Sequence, residues 1–371
     1  MCRKVIEKVQ FYHQSLFMIG ILILHGMKSA DIDVYGAWYL SVIALSCIGV
    51  KIVTTIYDRR ELLWMLFLGG IAIYGFFINH SVTFVLSLFC ILGVKGIELG
   101  PIFKWAFWSK LFIIPITVLL ATMGIIENKL FPGLPKFIAS ENIYIHRDIY
   151  AYGYAHPNRL FFQIVTLALL ALIVYGEIYS KWIWPISTLV IYCAYRILMC
   201  RAGWYIWLGI CLLAIVNWSA GKIQLGELFH KLLCLTPLGV TTLAYFLMSQ
   251  YHQGTAIGNK MNDILTRRLE WVHPYWPELY KHILPLNDVV NEDFTAVVFP
   301  FNFGLIVWGI AICAYMRMLF DFYKKNQWHY LLINVAMWIY SFSEYLPVGI
   351  ASNIFLLCLG NVLYKKEKEA D

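Results

Sequence analysis

The chain has 371 residues, of which 60% are hydrophobic and only 14% are charged. Average soluble domains carry about 25% charged residues, so this composition excludes an ordinary soluble protein. The formal net charge of +7 does not indicate nucleic-acid binding, because most of the basic residues lie in short connections between apolar segments, where anionic lipid headgroups neutralise them. The sequence contains no P-loop, dinucleotide fingerprint or zinc-ligand spacing, so no nucleotide or metal cofactor is predicted.

Twelve apolar segments are predicted to cross a membrane as helices. A spanning helix needs about 20 mostly apolar residues, and lipid offers backbone amide groups no partner outside the helix. The segments are centred near residues 20, 43, 70, 89, 117, 168, 190, 210, 240, 308, 336 and 355. The first is short, and the pair near 190 and 210 is separated only by Met199 to Ala202, so the pattern supports eleven or twelve spans. The predicted fold class is therefore all-α, with residues 1–371 as a single integral membrane domain.

The positive charges predict the orientation of these helices. With a cytoplasmic N-terminus and twelve alternating spans, 18 of the 29 Lys and Arg residues fall on cytoplasmic segments and 11 on the longer outer connections. This is the bias of the positive-inside rule. Both termini are therefore predicted to be cytoplasmic.

Two predicted outer loops, residues 127–158 and 250–296, are much longer than the other connections. Loops longer than about 12–15 residues are usually functional or disordered. These two are rich in Pro, Trp, Tyr and His and lack the Ser, Gln and Glu bias of disordered segments. We expect both to be ordered lids over a cavity.

The first outer loop ends in an aromatic segment, residues 147–158, which includes Tyr154 and His156. Aromatic faces pack on the apolar faces of sugar rings, and Arg and Asn side chains bind hydroxyl or phosphate groups. The segment therefore suits a sugar site. A structural alternative stays open, in which Pro157 stiffens the turn and Asn158 caps the next helix.

Four arginines are predicted to share the outer face. Arg196 and Arg201 lie between two apolar runs, and an arginine at membrane depth costs about 2.5–3.5 kcal/mol on insertion scales, so it normally faces a polar cavity or a partner. Snorkelling to the interface is the alternative for one of them. Arg267 and Arg268 lie in Met261–Trp271, which is predicted to be one short helix. Such a cluster suits a diphosphate, since each contact at about 4 Å is worth about 4 kcal/mol at an effective dielectric of 20, before desolvation costs.

Acidic and amide residues complete the predicted outer cluster. Asn287 and Asp288 follow in the second loop, and Glu344 is the lone acid in the predicted outer turn between the last two spans. A carboxylate at that place can take a proton from a sugar hydroxyl, or it can cap the turn at the water interface. For Glu270 and Glu292 a solvated charged face is the simpler interpretation.

In their order along the chain, these motifs resemble the Wzy-type polymerases of the O-antigen polymerase/ligase superfamily. The resemblance covers residues 147–361, whereas the first five spans match in hydropathy alone. The matching segments are Arg147 with Gly153–Asn158 for the family's R…GFxHPN, Tyr195–Arg201 for Y…SR with Cys200 in place of Ser, Asn262–Arg268 for N…LxxR, Leu286–Asp288 for L-D-N with the order of Asn and Asp altered, and Glu344 with Asn353 for E…N.

The resemblance implies a GT-C-like helical fold and a metal-independent polysaccharide polymerase in the cytoplasmic membrane. Such an enzyme joins undecaprenyl-diphosphate-linked oligosaccharides, as donor and as acceptor, on the outer face of the bilayer. No metal or nucleotide is implied, because the lipid diphosphate is already an activated leaving group. A flippase and a chain-length regulator are further candidate partners.

The resulting hypothesis assigns a role to each outer residue. The predicted catalytic residues are Arg196, Arg201, His156 and Glu344. The predicted substrate-binding residues are Arg147, Tyr154, Asn158, Arg267, Arg268, Asn287 and Asp288. The sequence does not choose between His156 and Glu344 as the base. An O-antigen ligase, a flippase or transporter for the lipid-linked repeat, and a structural membrane protein without activity remain alternatives.

Overall fold

A computed structural model describes residues 2–32, 37–80, 82–138, 143–222, 226–285, 290, 293–344 and 348–364. The protein is 81% helical, which agrees with the predicted all-α membrane class. The helices are α1 (Cys2–Ser29), α2 (Trp38–Thr54), α3 (Arg59–Asn79), α4 (Val82–Leu92), α5 (Leu99–Thr122), α6 (Pro157–Leu198), α7 (Arg201–Lys222), α8 (Gly226–Cys234), α9 (Thr236–His252), α10 (Ala256–Ile264), α11 (Arg268–Val272), α12 (Thr295–Phe303), α13 (Leu305–Lys324), α14 (Trp328–Ser343) and α15 (Gly360–Leu363). Two 3-10 helices (His273–Lys281 and Ile354–Leu359) and two strands, β1 (Leu130–Ile138) and β2 (Ile143–Tyr150), complete the described elements.

Five of the described helices are long and apolar enough to cross a membrane: α3, α5, α6, α7 and α13. A sixth candidate is the pair α8 and α9, which is bent by 58° at the break between the two helices. Three shorter apolar segments, Trp38–Thr54, Val82–Leu92 and Ile354–Leu363, also coincide with predicted spans. The membrane-helix class is therefore confirmed, whereas the count of twelve spans stays a prediction.

Helix α6 contains two of the predicted spans, those near residues 168 and 190. Its 42 residues would extend about 60 Å as a straight helix at 1.5 Å per residue. Yet Asn158 at its start lies beside Cys200, just past its end, with Cys200 Sγ 3.0 Å from Asn158 Oδ1. The backbone leaves helical geometry at Tyr179 (φ −120°, ψ 20°). The chain therefore turns back near Tyr179, and the two halves of α6 return to the same end of the molecule.

Close packing of α6 on α7 fixes the position of that end. A Cβ atom on Gly203 would lie 2.3 Å from Cε1 of Phe161 and 2.7 Å from the hydroxyl of Tyr340. Only a residue without a side chain allows this approach. Gly203 thus brings the start of α7, including Cys200 and Arg201, against both α6 and α14.

The first predicted outer loop contains a β-hairpin, which the all-α prediction did not include. Strands β1 and β2 are antiparallel, with Leu130 opposite Tyr150 and Ile138 opposite Ile143. An irregularity between Phe131 and Leu134 includes Gly133 at φ 58°, whose amide donates to Asp148 Oδ1 at 2.8 Å. The described part of this loop forms a two-stranded ribbon, whereas its role as a lid over a cavity stays a prediction.

The second predicted outer loop folds onto the helices. Its described part includes α10, α11 and the 3-10 helix His273–Lys281. The apolar side chains Leu269, Val272 and Leu279 of this loop are buried in the main core. The amide of Leu305, at the start of α13, donates to the carbonyl oxygen of His282 at 2.8 Å. This loop is therefore part of the packed structure, and it carries its polar residues to the end of α14.

Candidate active site

Three distant segments of the chain meet at the carboxyl group of Glu344. This residue directly follows α14 and is only 3% exposed. Its Oε1 accepts a hydrogen bond from Nη2 of Arg268 at 2.6 Å and another from Nδ2 of Asn158 at 3.1 Å. Charge-assisted hydrogen bonds of this kind are about twice as strong as neutral ones. The side chains of Glu344, Arg268 and Asn158, which we call the Glu344 cluster, are therefore held in one arrangement.

Cys200 extends the Glu344 cluster to the start of α7. Its thiol lies 3.0 Å from Asn158 Oδ1 and 3.4 Å from the carbonyl oxygen of Leu198, and the side chain is buried. The amide of Asn158 thus donates to Glu344 through Nδ2 and accepts from Cys200 through Oδ1. This fixes the orientation of the amide group.

Asp293 adds a second carboxylate next to the first. Its Oδ2 lies 3.6 Å from Nη2 of Arg268, and its carboxyl group is close enough to that of Glu344 to raise the Glu344 pKa. The side chain of Asp293 is 30% exposed, whereas those of Arg268 and Glu344 are 8% and 4% exposed. Asp293 therefore lies at the mouth of the cluster, on the side that faces solvent.

Burial makes the carboxyl group of Glu344 a weaker acid than an ordinary glutamate. Removal from water raises the pKa of its carboxyl to about 8, Arg268 opposes part of this rise, and Asp293 adds to it. An ionised carboxylate is disfavoured where water is excluded, and a neighbouring carboxylate disfavours it further. The side chain can therefore exchange a proton near neutral pH, which is the property that a general base or acid requires.

A sharp turn before α11 points Arg268 inward. Thr266 and Arg267 both have left-handed backbone conformations, with φ of 59° and 64°. Such conformations are uncommon for residues other than glycine and cost about 1–3 kcal/mol each. The Asn262 carbonyl accepts from the Arg267 amide at 2.8 Å, and its side-chain oxygen accepts from the Glu270 amide at 3.0 Å. The prediction of one helix over Met261–Trp271 is therefore wrong, because this turn separates α10 from α11.

The turn gives the two adjacent arginines different surroundings. Arg267 is exposed and forms a two-point ion pair with Glu270, at 2.7 and 2.9 Å. Arg268 donates to Leu265 O at 3.1 Å and to Glu344, and its buried Nε has no hydrogen-bond partner within the described part of the chain. An unused buried donor is costly. Arg268 therefore differs from Arg267 in being buried and in keeping one donor that the described residues do not use.

The two arginines near α7 also differ. Nη2 of Arg201 donates to the hydroxyl of Thr266 at 2.9 Å, so this half-buried residue is linked to the turn that carries Arg268. Arg196 is exposed and donates to the hydroxyl of Tyr192, one turn earlier on α6. Of the four predicted arginines, the structure brings Arg268 and, through Thr266, Arg201 to the Glu344 cluster. The side chains of Arg196 and Arg267 have partners outside the cluster.

The residues of the first outer loop occupy mainly structural positions. Nδ1 of His156 accepts from the amide of Asn158 at 3.1 Å, so His156 is the N-cap of α6, and the predicted cap at Asn158 is wrong. Tyr154 is buried and its hydroxyl donates to Ser29 O at 2.7 Å, so it binds α1. Arg147 lies in β2 opposite Leu134. Asn287 and Asp288 lie outside the described residues.

Sequence reasoning missed Asp293 and Cys200 as members of the site. Asp293 was not separated from the solvated acids of its segment, and Cys200 was noted only as a departure from a family pattern. The sequence signal that favours a site is an acid two residues before the apolar run Thr295–Phe303, which forms the fully buried helix α12 in the structure. No comparable signal singles out Cys200.

Comparison with known proteins assigns the chain to no family. No family model, curated protein or solved structure matches it. A function must therefore be argued from the geometry and chemistry of the Glu344 cluster.

Proposed function

We propose that this chain is a membrane glycosyltransferase of the polymerase type, which joins lipid-diphosphate-linked oligosaccharide units. The observation that carries the proposal is the buried contact of Glu344 with Arg268 and Asn158. These residues come from three of the segments whose order resembles the polymerase motifs, and Cys200 represents a fourth. Glycosyl transfer from a diphosphate needs a base and a cation close together, and this cluster supplies both.

Each charged group of the site has one role in the proposed reaction. The acceptor hydroxyl oxygen attacks the anomeric carbon of the donor sugar, and the bond from that carbon to the diphosphate oxygen breaks. The hydroxyl proton passes to Glu344, and the bonding electron pair leaves with the diphosphate. Positive groups placed where negative charge develops stabilise such a transition state. Arg268 supplies this charge, and Arg201 supplies more from the other side of Thr266.

The proposal changes the diphosphate clamp that the sequence suggested. Arg196 and Arg267 have other partners, so the clamp now consists of Arg268 and Arg201. Glu344 is favoured over His156 as the base, because the lone pair on Nδ1 of His156 accepts the Asn158 amide. A neutral histidine then carries its proton on Nε2 and has no second lone pair to offer.

The reaction belongs on the outer face of the cytoplasmic membrane in this proposal. The positive-inside bias predicts that Glu344 and the second long loop lie outside. Donor and acceptor are then undecaprenyl-diphosphate-linked oligosaccharides, whose lipid tails stay in the bilayer while their sugars reach Asp293 at the mouth.

Replacement of Glu344 by glutamine tests the proposal. Glu344→Gln keeps the size of the side chain and an oxygen acceptor for Arg268 and Asn158, but it removes the proton acceptor. In cells that depend on this gene for polymer, we expect single lipid-linked repeats to accumulate and long chains to disappear on a gel. Glu270→Gln is the matched control, since Glu270 pairs with exposed Arg267. Full-length polymer from Glu344→Gln, at matched protein abundance, would refute the base.

The same experiment separates the alternative functions. A ligase defect leaves long chains on the lipid carrier and blocks only their transfer to another acceptor. A flippase defect traps single repeats on the cytoplasmic side, where an external glycosidase cannot reach them in intact cells. Single repeats that accumulate on the outer side indicate a polymerase.

A further inference from the structure

A groove separate from the Glu344 cluster opens between α3 and α13, with α4 as its floor. Its volume is about 790 Å³, within the range of about 300–1,000 Å³ that small-molecule sites occupy. Trp64 and Leu68 of α3, Leu88 of α4 and Ile310 of α13 form apolar walls. The only charged residues among its described lining are Arg60 and Arg317.

The two arginines lie at the same end of the groove, because α3 and α13 run in opposite directions. A Cβ on Gly75, near the end of α3, would lie 3.5 Å from Pro285, and one on Gly304, at the start of α13, would lie 2.9 Å from Leu284. The end of α3 is therefore close to the start of α13. Arg60, at the start of α3, and Arg317, late in α13, consequently share the other end.

This end is remote from the Glu344 cluster. Helix α13 ends at Lys324, and α14 begins at Trp328 after a short turn and packs back along it. Glu344 follows the far end of α14, near the start of α13. The groove therefore offers a basic site that the proposed transfer reaction does not use.

We propose that the groove binds an anionic phospholipid, with the phosphate on Arg60 and Arg317 and an acyl chain along the apolar walls. Guanidinium groups match phosphate geometry, and basic pockets between spanning helices are sites for acidic lipid headgroups. The Asp321 carboxylate lies 3.5 Å from Nε of Arg317, whose side chain is 66% exposed, and a pair with such an exposed partner contributes little.

The surroundings of the groove favour a lipid over a soluble ligand. Trp64 and Ile306 line the groove and are 41% and 43% exposed. The groove therefore opens sideways, on the surface that the membrane-type helices present away from the protein core. That surface faces acyl chains in a bilayer. Arg60 and Arg317 also belong to the connections that the positive-inside rule assigns to the cytoplasmic side, where acidic lipids concentrate.

Native mass spectrometry of the full-length protein in detergent tests the charged part of the proposal. The probes are dioleoyl phosphatidylglycerol and dioleoyl phosphatidylcholine, which differ in headgroup charge but share their acyl chains. We expect the phosphatidylglycerol complex to be retained preferentially, and the double variant Arg60→Gln/Arg317→Gln to bind it roughly 30-fold more weakly, from the attraction of two basic residues for an acidic lipid.

The matched control removes the same charge outside the groove. Arg59→Gln/Lys324→Gln alters two exposed neighbours that do not line it. Unchanged binding in this control, with loss in the Arg60/Arg317 variant, supports a specific site. Equal loss in both variants, or equal binding of the two lipids, overturns the proposal.

A steric variant tests the apolar part without changing any charge. Gly309 lines the groove, and a Cβ placed on it would have no neighbour within 4 Å. Gly309→Leu should therefore fill the acyl path without disturbing the helix and reduce phosphatidylglycerol binding at least several-fold. Gly209→Leu is the control, since Gly209 has equally open surroundings on α7 outside the groove. Full binding to Gly309→Leu would show that no chain lies there.

Discussion

Two largely buried ion pairs in this protein differ in how many of their polar atoms have hydrogen-bond partners. Lys95, after α4, donates to Glu61 and to Ile56 O at 2.8 Å, and it lies over the rings of Tyr57 and Tyr364. Glu61 also accepts from the amide of Asp58 in the capping box that begins α3. These interactions connect Lys95, after α4, to the start of α3 and to the segment just before it. The Lys95 pair therefore belongs to the scaffold.

The Arg268–Glu344 pair is the opposite case. It leaves the buried Nε of Arg268 without a partner in the described structure, and it lies next to the partly exposed Asp293. It also depends on a turn with two left-handed residues, Thr266 and Arg267. Strain and unused hydrogen-bonding capacity are common where a ligand completes a site. Comparison of the two pairs suggests that loss of the first reduces stability and loss of the second reduces activity.

The largest expected effect is on stability, at the Lys95 pair. Lys95→Ala leaves Glu61 buried without its cation, and removal of one partner from a buried pair costs about 3–5 kcal/mol of unfolding free energy. Thermal or denaturant unfolding in detergent measures the loss. Lys231→Ala, which breaks the exposed pair with Glu227, is the control and should change little. A stable Lys95→Ala protein would remove the basis of the comparison.

The next effect is on activity, at Arg268. Arg268→Ala removes the cation from the proposed diphosphate site, and loss of one preorganised transition-state donor typically lowers the rate by about 10²–10³-fold. The stability loss should be smaller than for Lys95→Ala, because the carboxyl of Glu344 can accept a proton instead of remaining charged. Polymer formation at matched protein abundance is the measurement.

Arg267→Ala is the closest control for this test. It removes the adjacent arginine, whose side chain pairs with Glu270 on the surface. We expect near-normal polymer length from it. If Arg267→Ala were as inactive as Arg268→Ala, the loop as a whole rather than the buried guanidinium would be required.

The pH dependence of the reaction sharpens the comparison further. Burial raises the pKa of Glu344 to about 8, so the fraction of ionised base should grow about tenfold per pH unit below that value and level off above it. The effect on stability has the opposite sign. The Glu344 carboxyl has a higher pKa in the folded state than in the unfolded chain, so the folded state loses stability as the pH rises from the unfolded pKa to about 8. Initial rates of the purified protein in vesicles between pH 6 and 9 measure the first effect. A flat profile would exclude Glu344 as the base.

The sequence predicted the helical membrane class well but not the shape of the connections. Apolar length identifies α3, α5 and α13 directly. The two predicted spans near residues 168 and 190 require the chain to reverse between them, and it does so near Tyr179. Helical backbone continues on both sides of this reversal, so both spans belong to α6. The β-hairpin was not predicted, because its first strand contains Pro132, Gly133 and Pro135, which usually indicate loops.

The structure brings some of the predicted site residues together and places others apart. The motifs brought Asn158, Arg268 and Glu344 into consideration, and the structure joins them through direct hydrogen bonds. The choice between Arg267 and Arg268 depends on two left-handed residues, for which the sequence Thr266-Arg267 gives no sign. Such choices depend on tertiary contacts, here those of the Asn262 side chain, and local propensity does not reveal them.

The smallest predicted effect concerns His156, the rival base. If His156 acts only as the N-cap of α6, His156→Ala should cost about 0.5–2 kcal/mol of stability. His156→Asn should restore most of it, since asparagine is among the best capping residues and can accept a hydrogen bond from the Asn158 amide.

Activity should follow stability in both variants, because Asn158 stays in contact with Glu344 when the cap is kept. A catalytic base would instead be lost in both. An active His156→Asn enzyme with an inactive Glu344→Gln enzyme would assign the proton transfer to the buried carboxyl. The reverse result would make His156 the base.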